Sequence, residues 1–434
     1  MTGLRGLIPL LLLYAGRAGT AIVGLLVLPL LHDVLGTATF GAVGIVLALQ
    51  ALVVMLDFGL AVSSGRAAAS LSAGDTWHLR PLVRHIDRVI VVVYGCLGTV
   101  AVLASPLVGL GPAPMAALFL GLAAITHQNA SLNILIGRRA YRLASASQFG
   151  GILLRHSIAL GSLHLFSPTL DVFIYAQAGV AVVHALASRM GALLLAGENR
   201  VGGDRPHDRI SPALAIVGIA GACALQVDKP LIGLLADPAS AAPYYLASVL
   251  ALVPISFLAG PVAQFFQPTV MLALAERRRQ DMVQALSRLA VVLCIATVGP
   301  GTVLLVAAEP ITRLWLGPEP LQPLVASYLQ ILIVGGVIGS IGLIPSMLLI
   351  ASKDYRFLAF SSVTLTTFLL GAVAIGAAAH DIMSVCYAYA AYHVAATVVL
   401  WVRASGLHPE LNRAVVAIPR EIGTAFHRIR AREV

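Results

Sequence analysis

The chain has 434 residues, 59% of them hydrophobic and only 11% charged, with a mean hydropathy of +0.92 and a formal charge of +9. A soluble protein of this length would hold two or three domains with about a quarter of its residues charged. That composition excludes a soluble enzyme or a nucleic-acid-binding protein and leaves a polytopic, all-α membrane protein.

The first stretch, Met1 to Gly16, has the form of a signal peptide. Its apolar character resumes after Arg17 and continues to Leu31, which reads as an uncleaved first helix. A spanning helix needs about 20 mostly apolar residues. That window places twelve spans at roughly 7–31, 40–64, 88–109, 115–136, 147–166, 170–196, 212–235, 243–268, 289–307, 323–350, 356–378 and 382–402. Cys96, Cys223, Cys294 and Cys386 fall in separate apolar segments, so no disulfide framework and no zinc site is expected.

Of the 28 lysines and arginines, 24 fall in connections on one side, among them Arg66, Arg80, Arg138, Arg205, Arg277 and Lys353. The opposite connections hold Arg313, and Arg17, Arg155 and Lys229 lie within spans. Basic residues mark the cytoplasmic side, so both termini are expected in the cytoplasm, with an even number of spans.

The two halves repeat. LALQALVVMLDFGL from Leu47 aligns with LALVPISFLAGPVA from Leu250, and YRLASAS from Tyr141 with YRFLAFSS from Tyr355, at offsets of 203 and 214. Similar composition alone would also produce short matches of this kind. The expected organisation is an N-terminal six-helix bundle over 1–196, a polar cytoplasmic linker over 197–211 and a C-terminal six-helix bundle over 212–402. A basic amphipathic cytoplasmic tail follows over 403–434. Six spans per half make both halves enter from the same face, which implies a parallel pseudo-twofold repeat about a central cleft, an architecture of transporters. In the tail, Ile418, Ile422, Phe426 and Ile429 share a helical face among arginines, a pattern for lying on anionic membrane lipids or for a solvated extension.

Catalytic signatures are missing from the sequence. Neither lysine lies in a GxxxxGK[ST] loop, there is no HExxH, and the external connections are short, the longest running from about Ala308 to Gln322. No enzyme activity and no cofactor are expected.

Charges at bilayer depth cost about 2.5–3.5 kcal/mol on insertion scales and mark functional paths by default. Arg17 and Arg155 lie near the middle of the first and fifth spans and Lys229 near the outer end of the seventh. Either they line a path for an anionic headgroup or each pairs with a neighbouring acid. Gln50 and Asp57, seven residues apart, share a face of the second span that Ser64 continues, and are expected to look into the cleft. Asp228 and Lys229 are adjacent, and adjacent positions on a helix diverge by about 100°, so mutual pairing is not expected. Asp57 and Asp228 are read as coupling groups or as members of structural ion pairs. Gln226 and Gln264 add polar groups, and Tyr389, which shares a face with Tyr392 and His393, could stack on a sugar or gate protons. Pro230 and Pro261, the latter between Pro254 and Pro268, are candidate gate residues because a proline frees a backbone carbonyl one turn earlier.

TFGAVGIVLALQALVVMLDFGL (Thr39 to Leu60), QVDK (Gln226 to Lys229) with the following PYYLASVLAL, and QPTVMLALAE (Gln267 to Glu276) resemble Wzx-type polysaccharide and O-antigen flippases. These belong to the multidrug/oligosaccharidyl-lipid/polysaccharide exporter (MOP) superfamily. The resemblance covers most of the chain, with Pro243 standing where the family has a glycine before the paired tyrosines. It implies two bundles that move undecaprenyl-pyrophosphate-linked oligosaccharide from the cytoplasmic to the periplasmic leaflet of the bacterial inner membrane by alternating access. Glycan polymerase and ligase machinery would then be its neighbours. Arg17, Arg155 and Lys229 are the matching candidates for the pyrophosphate. A cation-coupled multidrug antiporter of the same superfamily, a peptidoglycan-precursor (lipid II) flippase, which usually carries two more helices, and a membrane-embedded glycosyltransferase are the alternatives.

Overall fold

A 48-residue helix is about 72 Å long, more than twice the about 30 Å of bilayer hydrocarbon. The first helix of the computed structural model, α1 (Ile8–Met55), therefore crosses twice, turning at Gly36, where φ is 70° and ψ 164°. Glycine adopts that backbone at no steric cost and other residues do not. His32 braces the turn, its Nε2 3.2 Å from Thr37 Oγ1 and its ring edge-on to Phe40. The structure describes residues 8–56, 64–65, 68, 79–108, 110–138, 140–194 and 212–417. The linker 197–211, the amphipathic face from Ile418 onward, Asp57 and Arg66 lie outside them.

The described chain is helical throughout and packs as two units, Met1–Ile210 and Ser211–Val434. In the first, α1 is followed by α2 (Leu79–Ala104), a 3-10 turn (Ser105–Val108), α3 (Pro112–Gly137), α4 (Tyr141–Leu165) and α5 (Leu170–Leu194). In the second come α6 (Pro212–Gln226), α7 (Asp228–Leu235), α8 (Pro238–Ala275), α9 (Arg279–Val306), α10 (Ala308–Leu316), α11 (Gln322–Ile341), α12 (Leu343–Ala351), α13 (Tyr355–Ala378) and α14 (Ile382–Leu407). By length and apolarity, eight helices among the described residues can cross a membrane, and a ninth span is the pair α6 and α7, bent by 46°. The second limb of α1, together with α3 and α4, completes twelve. α3 and α4 are long enough but less apolar than the others, because they carry the THQN run from Thr126 and the Arg155–His156 pair. Large apolar side chains such as Leu26, Val91, Leu165, Phe265, Ile295 and Phe368 are exposed, as a lipid-facing belt requires.

The internal repeat has an atomic counterpart. α1 packs on α4 and α3 on α5; in the second unit α6 packs on α13 and α11 on α14. A Cβ on Gly121 would lie 3.2 Å from Ala178 Cα, and one on Gly335 would lie 3.0 Å from Ala390 Cα. The two glycines are separated by 214 residues, the offset that also relates Tyr141 to Tyr355. Small residues let spanning helices approach closely where no hydrophobic driving force separates helix from lipid, and here both units use the same contact.

Two local features refine the expected elements. α8 runs unbroken from Pro238 to Ala275 through Pro254, Pro261 and Pro268, while the seventh span breaks at Val227, ahead of Pro230. Pro230 occupies the first turn of α7, where its missing N–H has no helical acceptor to lose. After α14, residues 410–417 form a further helical turn that buries Leu411 and Ala414 in the core of the second unit with Leu289, Leu293 and Leu348. The start of the basic tail is therefore packed against protein.

Candidate functional site

In the first unit the polar residues of α3, α4 and α5 turn inward. Arg155 on α4 is 6% exposed, and its NH2 donates to Gln128 Oε1 on α3 at 3.1 Å. Its Nε has no hydrogen-bond partner, and no carboxylate forms an ion pair with it, among the described residues. A buried charge is ordinarily paired, because an isolated one costs several kcal/mol; Arg155 has one neutral amide instead. Around it lie His156 and His184, both buried, and Arg155 is close enough for its charge to act on each. Gln177 on α5 is 2% exposed, with neither amide atom hydrogen-bonded among the described residues. His184 is held by Ser147 Oγ at 2.9 Å, which in turn lies 3.0 Å from Ser188 Oγ. Gly151 makes room for this ring: a Cβ there would sit 1.7 Å from His184 Cε1.

A second cluster ties α2, α3 and α5. Asp87 accepts from His127 Nε2 at 2.8 Å and pairs through its other oxygen with Arg189. His127 is thus held by a hydrogen bond to the carboxylate that also balances Arg189. Gln128, Gln177 and Asp87 were not singled out by sequence reasoning; for Gln128 the run of amide and imidazole side chains from His127 to Asn129 was the available signal.

In the second unit, Asp228 and Lys229 pair with each other, contrary to the expectation from ideal helix geometry. Lys229 Nζ lies 2.9 Å from Asp228 Oδ1, with the two side chains 4% and 0% exposed. The helix break is the physical reason. In a continuous helix the Lys229 N–H would donate to Leu225 O. Here that N–H turns to Asp228 Oδ1 at 3.0 Å, and the Lys229 side chain folds back so that Nζ takes the Leu225 carbonyl at 2.5 Å. Tyr244 OH on α8 donates to Asp228 Oδ2 at 2.6 Å and closes the group. Lys229 is neutralised by its neighbour.

The remaining candidates are dispersed. Arg17 lies on α1, and its side chain is outside the described residues. Gln50, Gln226 and Pro261 are half-buried and Gln264 is exposed. Ser64, expected on the same face as Gln50, is instead fully buried and donates to Ala130 O on α3. Tyr389 is 1% exposed, its ring edge-on to His393 at 4.6 Å, so it faces packed protein. Among the described residues there is no group of histidines, cysteines and carboxylates able to hold a metal ion.

Comparison with known proteins speaks to the fold. No protein-family model and no curated protein sequence matches the chain. Solved structures match over nearly its whole length. An inward-facing multidrug-resistance MATE-family transporter of the MOP superfamily is 14% identical, with a TM-score of 0.68 over 92% of this chain and 95% of that one. The chain shares the fold of that transporter. An outward-facing MATE-family multidrug-resistance transporter matches with a TM-score of 0.61 at 15% identity, over 93% of this chain and 95% of that one. A MOP-superfamily transporter from Pyrococcus furiosus, for which reversed polarity of the binding pocket suggests a different function, matches with the same TM-score, identity and coverages as the outward-facing structure. The fold has thus been solved in both states that alternating access requires, and these relatives in structure are transporters.

Proposed function

We propose that this protein is a flippase for polyprenyl-pyrophosphate-linked oligosaccharide, carrying it from the cytoplasmic to the periplasmic leaflet of a bacterial inner membrane, with both termini cytoplasmic. The observation that carries the reading is Arg155, a buried guanidinium for which the described residues supply an amide and no carboxylate. An anionic substrate group would provide the missing charge, and Gln128 and Gln177 would add hydrogen bonds to phosphate or sugar oxygens. Lys229 is withdrawn from this role because Asp228 already balances it, and Arg17 is retained from its position on the first span. Glycan polymerase and ligase machinery would act on the product.

A cation-coupled multidrug antiporter is the second reading, favoured by the multidrug transporters among the structural matches. An interior arginine without a counter-charge repels the cationic substrates of such an exporter, which places it behind the first.

The test is reconstitution into liposomes with a labelled polyprenyl-pyrophosphate oligosaccharide, scored by its exposure on the opposite leaflet. Wild type is expected to flip it, and Arg155→Gln to slow flipping by about 10–100-fold, the worth of one or two hydrogen bonds to a charged group. Failure of the wild type to move the lipid, with export of cationic dyes in its place, would establish the antiporter instead.

A further inference from the structure

The Lys229 ammonium is surrounded by oxygen. Its Nζ has Leu225 O at 2.5 Å, Asp228 Oδ1 at 2.9 Å and Asp228 Oδ2 at 3.2 Å. The carbonyl belongs to the last turn of the half-helix α6, where the negative end of the helix dipole lies. The carboxylate is steadied from α8 by Tyr244. A second phenol, Tyr389 on α14, is buried, has no hydrogen-bond partner for its hydroxyl among the described residues and lies within electrostatic reach of Asp228. Freed carbonyls and C-terminal ends of half-helices are what broken spanning helices use to coordinate monovalent cations. Here the coordinated cation is one the chain carries itself.

We propose that Leu225 O, Asp228 and Tyr244, with Tyr389 at their side, form an alkali-cation cage whose resident ion is the Lys229 ammonium. The second unit is then indifferent to Na+ and K+ while Lys229 is present, and becomes a site for either ion once that ammonium is removed. The charge count sets this selectivity. One carboxylate balances one ammonium in a region where both are withdrawn from water. A metal cation entering beside Lys229 would share that single carboxylate with a like charge a few ångströms away, and like charges at that separation exclude one another. Removing the ammonium leaves a carboxylate, a carbonyl and a phenol disposed around a side-chain-sized space, the hard oxygen donors that an alkali ion accepts.

The test uses the purified full-length protein in detergent, without substrate, so its outcome is independent of the flippase reading. Thermal unfolding is followed in choline, sodium and potassium chloride at equal ionic strength and mildly alkaline pH. Wild type is expected to melt at the same temperature in all three salts. Lys229→Ala is expected to melt lower in choline and to recover in Na+ or K+, by a few degrees for each tenfold of salt above half-saturation. Asp228→Ala/Lys229→Ala is expected to lose that response. A rise specific to Na+ or K+ in the wild type, or a folded Lys229→Ala protein melting identically in every salt, would overturn the proposal. Recovery of folded Lys229→Ala only in sodium or potassium would support it. If that variant yields no folded protein in any salt, Lys229→Gln, which keeps a donor toward Leu225 O and loses the charge, is read in the same way: a selective rise supports the cage and a flat response overturns it.

Discussion

At the scale of single residues, the two buried cations among the described residues, Arg155 and Lys229, differ in what surrounds them, and their substitutions should separate accordingly. Asp228→Ala leaves the Lys229 ammonium buried without its counter-charge, which costs about 3–5 kcal/mol. Asp228→Leu combined with Lys229→Met removes both charges and should be close to neutral, since a buried pair and well-packed apolar side chains are often equivalent. Thermal unfolding of the four corners of that double-mutant cycle measures the coupling; additivity of the single substitutions would show that the two do not interact. Tyr244→Phe should cost about 1.5–3 kcal/mol through loss of a hydrogen bond to a charged group. Gly151 and Gly150 supply a paired contrast. Alanine at Gly151 drives a methyl into the His184 ring, whereas alanine at Gly150 meets nothing within 4 Å. Gly151→Ala is expected to destabilise the protein and Gly150→Ala to be neutral or slightly stabilising, by the same melting assay. The sequence made the charges visible at this scale, because Arg155 and Lys229 interrupt apolar runs. It concealed their partners: Gln128 is 27 residues from Arg155, and only the packing of α3 on α4 joins them.

At the scale of elements, the turn in α1 and the break before α7 do different work. Gly36 holds a positive φ at the point where one apolar segment becomes two crossings. Any residue with a Cβ there is strained by about 1–3 kcal/mol, since positive φ with an extended ψ is open essentially to glycine alone. Gly36→Ala should lower the melting temperature, while Gly24→Ala, at a position of the same helix that is open in space, should not. The close contacts of Gly121 with Ala178 and of Gly335 with Ala390 make a prediction about the repeat. Leucine at either glycine should force apart α3 and α5 in one unit or α11 and α14 in the other, with losses of similar size in folded yield. A strong effect at one and none at the other would mean that the repeat is not used equivalently. The twelve spans were legible from apolar length alone, although a hydropathy criterion passes over α3 and α4 for the very residues that form the interior polar cluster. The prolines of α8 leave it one continuous helix, since lipid-embedded helices tolerate proline when neighbouring groups satisfy the backbone.

At the scale of the whole molecule, the flippase reading couples the chain to the membrane potential. A pyrophosphate headgroup carries roughly two negative charges, and at about 2.3 kcal/mol per charge per 100 mV an inside-negative potential favours its outward passage by about 4–5 kcal/mol. Outward flipping in proteoliposomes should therefore accelerate when a diffusion potential, negative on the cytoplasmic side, is imposed, and slow when it is reversed. Rates indifferent to both would remove the headgroup charge from the driving force. Composition, the one-sided distribution of arginine and the repeated strings were sufficient by themselves to determine the membrane class, the all-helical architecture and the count of spans. These properties follow from the solvent and from the period of one helix, and both are written locally. Which charges are balanced was decided only in three dimensions. Periodicity places Asp228 and Lys229 on diverging faces of one helix, whereas the broken helix lets the lysine fold back onto its neighbour. Among the described residues Arg155 has no counter-charge, because the helices packed against it present amides and imidazoles where a carboxylate would have neutralised it.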